Sequence, residues 1–121
     1  MELRAIGIVE SPLTDAAAAP KQGDEGAPEV AEALEGTVAG DAVLVLTWFD
    51  RADRDVLRVH PRSDLSRPAT GVFATRSPDR PNPIGLHTVE VLAVDGLRIQ
   101  VRDLEAVDAT PVLDEIGRAH V

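Results

Sequence analysis

The sequence contains no cysteine, and this absence excludes several classes of chemistry at once. Without thiols the chain has no disulfide, no thiolate nucleophile and no cysteine zinc site, so any chemistry must use oxygen and nitrogen groups. Apolar runs long enough to cross a bilayer are also missing, and the start, MELRAIGIVE, lacks the profile of a signal peptide. We therefore expect a soluble, cytoplasmic protein, and 121 residues with 44% apolar content predict a single domain.

Long helical patterns and nucleotide-binding glycine motifs are missing as well. No Gly-x-Gly-x-x-Gly follows a strand pattern, which argues against a Rossmann nucleotide site. Proline and glycine interrupt residues 11–28 too often for a long helix. The one helix that we predict is a short one over Glu29–Glu35, closed by Gly36.

Short apolar segments predict five or six strands. The segments are Leu3–Val9, Ala42–Phe49, Val56–Val59, Val89–Val94 and Leu97–Leu104. The nearly continuous apolar run of Ala42–Phe49 predicts burial on both faces. Asp95-Gly96 separates the last two segments, which favours a hairpin with a type I′ turn and one buried face. Several strands and hardly any helix favour an all-β barrel.

Charge is distributed unevenly along the chain. The net charge is −9, but residues 51–80 carry seven arginines against four aspartates, so this stretch is +3 and the remainder is −12. The arginines are Arg51, Arg54, Arg58, Arg62, Arg67, Arg76 and Arg80. A solvated surface is one explanation for such a stretch. The functional interpretation is a stripe that faces an anion, since phosphate contacts need clustered basic residues.

Residues 71–86, GVFATRSPDRPNPIGL, form a stretch stiffened by proline. Three prolines within six positions exclude helix and central strand there, and each restricts the residue before it. The interpretation without function is a rigid connector between two strands. The functional interpretation is that a stiff loop holds Arg76, Arg80 and Asn82 as fixed donors for a carboxylate or phosphate.

This stretch resembles the signature of the TsaA-like or TrmO family. Three other stretches agree with the resemblance, namely Ile6–Pro12, Ala19–Gln22 and Glu105–Asp114. The resemblance covers residues 1–114 and is weakest around positions 29–42. It implies a small closed or partly open β-barrel of six to seven strands with little helix, which dimerises and binds S-adenosylmethionine (SAM) without a Rossmann fold.

The resemblance also implies an activity and a set of site residues. The family comprises SAM-dependent methyltransferases that act on the N6 position of threonylcarbamoyladenosine, next to the anticodon in the tRNA anticodon loop. By position, the implied SAM-binding residues are Pro20, Lys21, Gln22, Asp50, Arg51, Arg76, Glu105, Ala106, Val107 and Asp108. The predicted substrate contacts are Arg80, Asn82 and Thr110. No metal ligand is implied.

Each implied contact has a chemical reason. Arg76 or Arg51 suits the carboxylate of SAM, Glu105 or Asp108 suits its ribose hydroxyls, and Gln22 suits an adenine edge. We predict Asp108 as the general base that takes the proton from the acceptor nitrogen. Two positions depart from the family pattern, which often has an imidazole at Asp50 and usually glycine at Ala109. Alanine strains the turn if that position has positive φ.

Two other functions compete with methyl transfer to tRNA. A regulatory or small-molecule-binding barrel would keep the SAM site without acting on RNA, and the acidic balance favours it. The discriminating feature is whether the arginine stripe faces the SAM pocket. A metal hydrolase built on His60 and His87 is the weaker alternative, because the two histidines have no close spacing.

The end of the chain departs abruptly from the family pattern. After Asp114 the sequence reads EIGRAHV, which matches the translation of a common sequencing adapter. We therefore expect a barrel domain over residues 1–114, truncated at its C-terminus, and a non-native tail over 115–121 in which Arg118 and His120 have no function. Codons that do not spell the adapter would contradict this expectation.

Overall fold

The computed structural model describes residues 1–11, 22–26, 28–60 and 64–118, with the backbone alone described along residues 22–26 and at Pro28. Its strands are β1 (Gly7–Glu10), β2 (Gln22–Gly26), β3 (Ala42–Trp48), β4 (Arg58–Val59), β5 (Thr70–Gly71), β6 (Ile84–Asp95), β7 (Arg98–Arg102) and β8 (Pro111–Ile116). Short 3-10 helices span Pro28–Leu34 and Val72–Ala74. No helix in these described ranges is long and apolar enough to cross a membrane.

Six of the strands form a closed barrel in the order β1-β2-β7-β6-β3-β8, with β8 pairing back onto β1. Every pairing is antiparallel. Strands β4 and β5 pair only with each other and form a small ribbon outside the barrel. The prediction of an all-β barrel with little helix is confirmed.

The barrel core follows the alternation of buried and exposed residues along its strands. In β6 the buried positions are Gly85, His87, Val89 and Val91, because alternate side chains of a strand point to the same face. Strand β3 alternates in the same way, but Leu44, Leu46 and Trp48 on its outer face are only half-buried. The prediction that Ala42–Phe49 is buried on both faces is therefore wrong for the outer face.

The hairpin between β6 and β7 has the predicted strands but a different turn. Asp95 is the last residue of β6 and pairs with Arg98, so the two-residue loop consists of Gly96 and Leu97. Gly96 has a φ of 59°, whereas Leu97 is not among the residues with positive φ. A type I′ turn requires positive φ at both central residues, and type II′ only at the first. The predicted type I′ turn at Asp95-Gly96 is therefore wrong, and the loop lies one residue later.

The remaining elements agree with the sequence except in their bounds. The first strand is β1, which begins at Gly7 rather than at Leu3. The predicted short helix is present as the 3-10 helix Pro28–Leu34, and Gly36 behind it has a φ of 92°. β6 begins directly after Pro83, so the three prolines precede the strand rather than interrupt it. Residues Glu115 and Ile116 extend β8 and pair with β3, while the proposed boundary after Asp114 stays a prediction.

Candidate functional site

Most of the predicted SAM-binding residues lie where strands begin or end. β1, β3 and β7 end at the same rim of the barrel at which β2, β6 and β8 begin, because neighbouring strands are antiparallel. Asp50 and Arg51 follow β3, Glu105–Asp108 connect β7 to β8, and Gln22 begins β2. Pro20 and Lys21 lie outside the described residues. The antiparallel pairing of the strands therefore brings predicted residues that are distant in sequence to one rim of the barrel.

A cleft of about 710 Å³ opens at this rim. Its volume falls in the range of roughly 300–1,000 Å³ that is typical of small-molecule sites. Four segments contribute walls: the loop after β3, the proline-rich loop before β6, the start of β6 and the connection from β7 to β8. Among the residues that line the cleft are Phe49, Arg51, Arg76, Arg80, His87 and Glu105–Val107.

Arg51 and Arg76 are the cations of the cleft that the protein itself leaves available. Both side chains are exposed, and neither has a hydrogen bond or salt bridge to another residue in the described part of the chain. A guanidinium binds carboxylates and phosphates with two parallel hydrogen bonds. The cleft can therefore receive the anionic end of a ligand.

Arg80 also lines the cleft, but its guanidinium is largely used inside the loop. Its Nε donates to the carbonyl of Ser77 at 2.8 Å, and its Nη2 donates to the carbonyls of Thr75 at 2.5 Å and of Val72. These bonds tie the proline-rich loop to the end of the 3-10 helix Val72–Ala74. The structure thus gives Arg80 a role in holding the loop, and its contact with substrate stays a prediction.

Asn82 and Thr110 are likewise bonded within the protein. The Asn82 Oδ1 accepts a hydrogen bond from Arg54 Nη2 at 3.0 Å, and the Thr110 hydroxyl donates to the carbonyl of Val107 at 2.7 Å. Arg54 also donates to the carbonyl of Pro81 at 2.7 Å and lies over the Trp48 ring. The Arg54 contacts join the loop after β3 to the proline-rich loop, so the two walls of the cleft are fixed to each other.

The connection from β7 to β8 is held against β1. The Val9 N–H donates to the carbonyl of Thr110 at 2.9 Å, and the Ala109 N–H donates to that of Val9 at 2.8 Å. Asp108 is exposed, its Oδ1 accepts from the Ser11 N–H at 2.9 Å, and its side chain is not part of the cleft wall. Asp50 is also exposed and lies outside the wall. Ala109 has a φ of 67°. This positive φ agrees with the glycine that the family usually has at this position.

His87 is a cleft residue that our sequence analysis considered only as a metal ligand. It lies on the inner face of β6, and its Nε2 is 2.8 Å from the hydroxyl oxygen of Thr47. Burial lowers the pKa of His87, so the ring is neutral at pH 7. The alternation of β6, which places position 87 on the face of Val89 and Val91, is the sequence signal that predicts an inward ring.

His60 is not among the residues that line the cleft. Its Nδ1 is 2.9 Å from the carbonyl of Arg67, beside the β4–β5 ribbon. Among the residues that the structure describes, no group of three His, Cys, Asp or Glu side chains has the arrangement of a metal site. His60 and His87 therefore do not line the same cleft.

Fold and cleft define a class of protein: a small closed β-barrel with a ligand cleft at one rim and two available arginines in its wall. Residues 8–115 match the family model of the tRNA-methyltransferase O N-terminal domain, TrmO_N. The chain belongs to this family.

Relatives and solved structures agree with the family. An Archaeoglobus fulgidus "S-adenosyl-L-methionine-binding protein" is 43% identical over 94% of this chain and 86% of its own length. A second protein of that organism, named a probable SAM-binding protein, is 44% identical over 94% of this chain, which spans only 33% of its length. A crystal structure of TrmO from Pseudomonas aeruginosa superposes with a TM-score of 0.76 at 28% identity. That match covers 98% of this chain and 56% of the crystallised one.

Proposed function

We propose that this chain binds SAM in the cleft and transfers its methyl group to the N6 position of threonylcarbamoyladenosine, next to the anticodon of tRNA. The observation that carries the proposal is the pair of arginines, Arg51 and Arg76, which line the cleft without an intramolecular partner in the described part of the chain. The family match and the names of the relatives support SAM as the ligand. Because the substrate is tRNA, we also propose a cytoplasmic location.

The donors and acceptors of the cleft fit the polar groups of SAM. Arg51 and Arg76 offer a charged fork to its carboxylate, and Glu105 offers acceptors to its ribose hydroxyls. Ala106 and Val107 line the same cleft, and we propose that this segment lies against the adenine. Gln22, Asp50 and Asp108 lie at the same rim and complete the proposed set together with Pro20 and Lys21.

The first test is a calorimetric titration of the chain with SAM. We expect saturable binding that Arg51→Ala and Arg76→Ala each weaken about 10- to 100-fold, since a hydrogen bond to a charged group contributes about 1.5–3 kcal/mol. Arg58→Ala is the matched control, because Arg58 is exposed and bonds to the carbonyl of Ala69 on the β4–β5 ribbon, outside the cleft. Equal loss in all three variants would point to a general charge effect and contradict the assignment.

Catalysis in such a site consists mainly of holding the two reactants in line. When bound, SAM supplies an electrophilic methyl group on a positively charged sulfur. The protein must align the acceptor nitrogen and accept the proton that this nitrogen loses. We propose Asp108 as that base, because Oδ1 is held by the Ser11 N–H and thereby fixes the carboxylate at the rim. Full turnover in Asp108→Asn, with SAM affinity unchanged, would exclude this role.

A SAM-binding barrel without RNA activity is the second candidate. The relatives are named only as SAM-binding proteins, and the net charge outside residues 51–80 is −12. Against it, Arg51, Arg76 and Arg80 of the arginine stripe line the cleft, which is the orientation that an RNA substrate requires. Transfer of labelled methyl from SAM to tRNA that carries threonylcarbamoyladenosine separates the two. SAM binding without transfer would favour the binding module.

We also propose that the chain forms a homodimer. The outer faces of β3 and β6 carry neighbouring apolar residues, namely Leu44, Leu46, Trp48, Ile84 and Leu86. Ile84 is 39% exposed and Leu86 45% exposed, which a second copy would cover. Sedimentation equilibrium tests this, with Leu46→Lys expected to shift the protein toward the monomer, because Leu46 lies on this outer face and outside the cleft wall. A monomeric wild-type chain would contradict the proposal.

A further inference from the structure

His87 lies at the meeting point of the barrel interior and the cleft. The residue is 9% exposed, its ring packs edge-to-face on Phe49 at 5.8 Å between ring centres, and it lines the cleft that also contains Arg51 and Arg76. A core histidine has no need to reach a ligand cleft. Neither the SAM contacts nor the proton transfer proposed above use this ring. The two ring nitrogens therefore have no role assigned so far.

The contact with Thr47 determines which ring nitrogen carries the proton. Thr47 is completely buried, and within the described part of the chain its hydroxyl has a single hydrogen-bond partner, the Nε2 of His87. A buried hydroxyl proton without an acceptor is costly. The Thr47 hydroxyl therefore donates to Nε2, which must be unprotonated. A neutral imidazole with a bare Nε2 carries its hydrogen on Nδ1.

The Nδ1–H group has no acceptor among the described residues, although His87 is almost fully buried. Buried donors are normally satisfied, and the cleft that His87 lines can hold an acceptor from outside the chain. The adjoining wall already presents the two cations Arg51 and Arg76, so the ligand atoms nearest to this wall are acceptors. The neutral Nδ1–H of His87 can orient an acceptor of the ligand through a hydrogen bond. It adds no positive charge beside the sulfonium of SAM.

We propose that His87 is a ligand-binding residue whose Nδ1–H donates a hydrogen bond to an acceptor oxygen or nitrogen of the molecule held by Arg51 and Arg76. The inference rests on the proposed function only in naming that molecule as SAM. Thr47 acts as a positioning residue, since its hydroxyl fixes both the orientation and the tautomer of the ring. A purely structural histidine would use the Thr47 bond alone.

Two amide substitutions separate the two nitrogens of the ring. The side chain of His87→Gln reaches the position of Nε2 and can accept from Thr47, but has no donor at the position of Nδ1. The shorter side chain of His87→Asn places an amide near Nδ1 and leaves Thr47 without a partner. Calorimetric SAM affinity and urea unfolding are measured for both variants and the wild type.

If the inference is correct, His87→Gln weakens SAM binding about tenfold or more and unfolds at nearly the wild-type urea concentration. His87→Asn unfolds at a lower concentration but retains SAM affinity within about threefold. If His87→Gln binds SAM as tightly as the wild type, the proposed contact between His87 and SAM is wrong, while the proposed function stands. A wild-type chain that binds no SAM would overturn the proposed function and this contact together, so the two failures are distinguishable.

A measurement without substitution keeps the test decisive if a variant fails to fold. Nitrogen-15 NMR of the imidazole rings reports the tautomer directly, and the chain has only three histidines to assign. We expect the Nδ1–H tautomer of His87 in the free protein and a shift of its Nδ1 resonance on saturation with SAM. The opposite tautomer, or an unchanged Nδ1 resonance in the saturated protein, would overturn the inference.

Discussion

Substitution of Gly85 tests the close packing of Gly85, Thr47 and Phe49 beside the cleft. A Cβ atom added at this position would contact the Thr47 hydroxyl oxygen and would lie 2.5 and 2.6 Å from Cζ and Cε2 of Phe49. Real Cβ atoms essentially never come within 3.0 Å of other heavy atoms. In Gly85→Ala the Phe49 ring must therefore turn away, and Thr47 must rotate out of its hydrogen bond with His87.

The cost follows from these two displacements. Inserting a methyl group into a packed interior costs about 1–3 kcal/mol. Loss of the bond between Thr47 and His87 adds about 0.5–1.5 kcal/mol. We expect Gly85→Ala to lower the free energy of unfolding by about 1.5–4.5 kcal/mol, a large part of the roughly 5–15 kcal/mol typical of a domain. With a urea slope of about 2 kcal/mol per molar, which is ordinary for a small protein, the midpoint of unfolding falls by roughly 1–2 M.

Gly71→Ala is the matched control for this substitution. Gly71 has a φ of −59°, and a Cβ atom there would meet nothing nearer than the carbonyl oxygen of Leu57 at 4.0 Å. We expect its free energy of unfolding to stay within about 1 kcal/mol of the wild type, with any change toward higher stability. If Gly85→Ala were as stable as Gly71→Ala, the close packing of Gly85, Thr47 and Phe49 would be refuted, and with it the fixed position of His87.

Three further predictions concern strain and titration. Ala109→Gly should raise the free energy of unfolding by about 1 kcal/mol in urea, because alanine at a φ of 67° is strained. Burial and the neighbouring Asp114 raise the pKa of Glu115, so Glu115→Gln should be more stable than the wild type at pH 7, with the difference disappearing as the pH falls below the ordinary value of 4.5. Burial lowers the pKa of His87, so thermal unfolding of the wild type should show stability falling as the pH drops below 6.5, and His87→Gln should lose that part of the slope. A wild-type and His87→Gln pair with the same pH dependence, or an Ala109→Gly variant less stable than the wild type, would contradict the corresponding assignment.

The barrel was predictable from sequence because its signals are local. Alternation along β6 and β7 and the proline-rich stretch before Ile84 each follow from the conformations of a few neighbouring residues. The turn between β6 and β7 was not predictable, since the pairing of Asp95 with Arg98 depends on where the strands meet. An Asp-Gly pair supplies a positive φ, but it does not determine which residue begins the loop.

Site residues were less predictable because composition does not reveal what a side chain touches. The stiff loop was expected to hold Arg80 and Asn82 as donors for a carboxylate or phosphate. Instead Arg80 donates to carbonyls of its own loop, and Asn82 accepts from Arg54, which is 28 residues away. His87 shows the reverse case. Its sequence neighbours predict an inward ring, but its role depends on Thr47, which lies 40 residues away on β3.

Four of the seven arginines of residues 51–80 form two pairs with different roles, and these pairs explain how a chain with net charge −9 keeps two available cations in its cleft. Arg54 and Arg80 donate to backbone carbonyls of the proline-rich loop and hold its shape. A loop fixed in this way needs no further bonds from Arg51 and Arg76, which have none within the described part of the chain. Their charge therefore stays available to a ligand, and the ordering of the loop is complete before the ligand arrives, so binding does not have to supply it. Within the arginine stripe, the structural pair Arg54 and Arg80 thus leaves Arg51 and Arg76 available for binding, and a count of charges along the sequence cannot distinguish the two pairs.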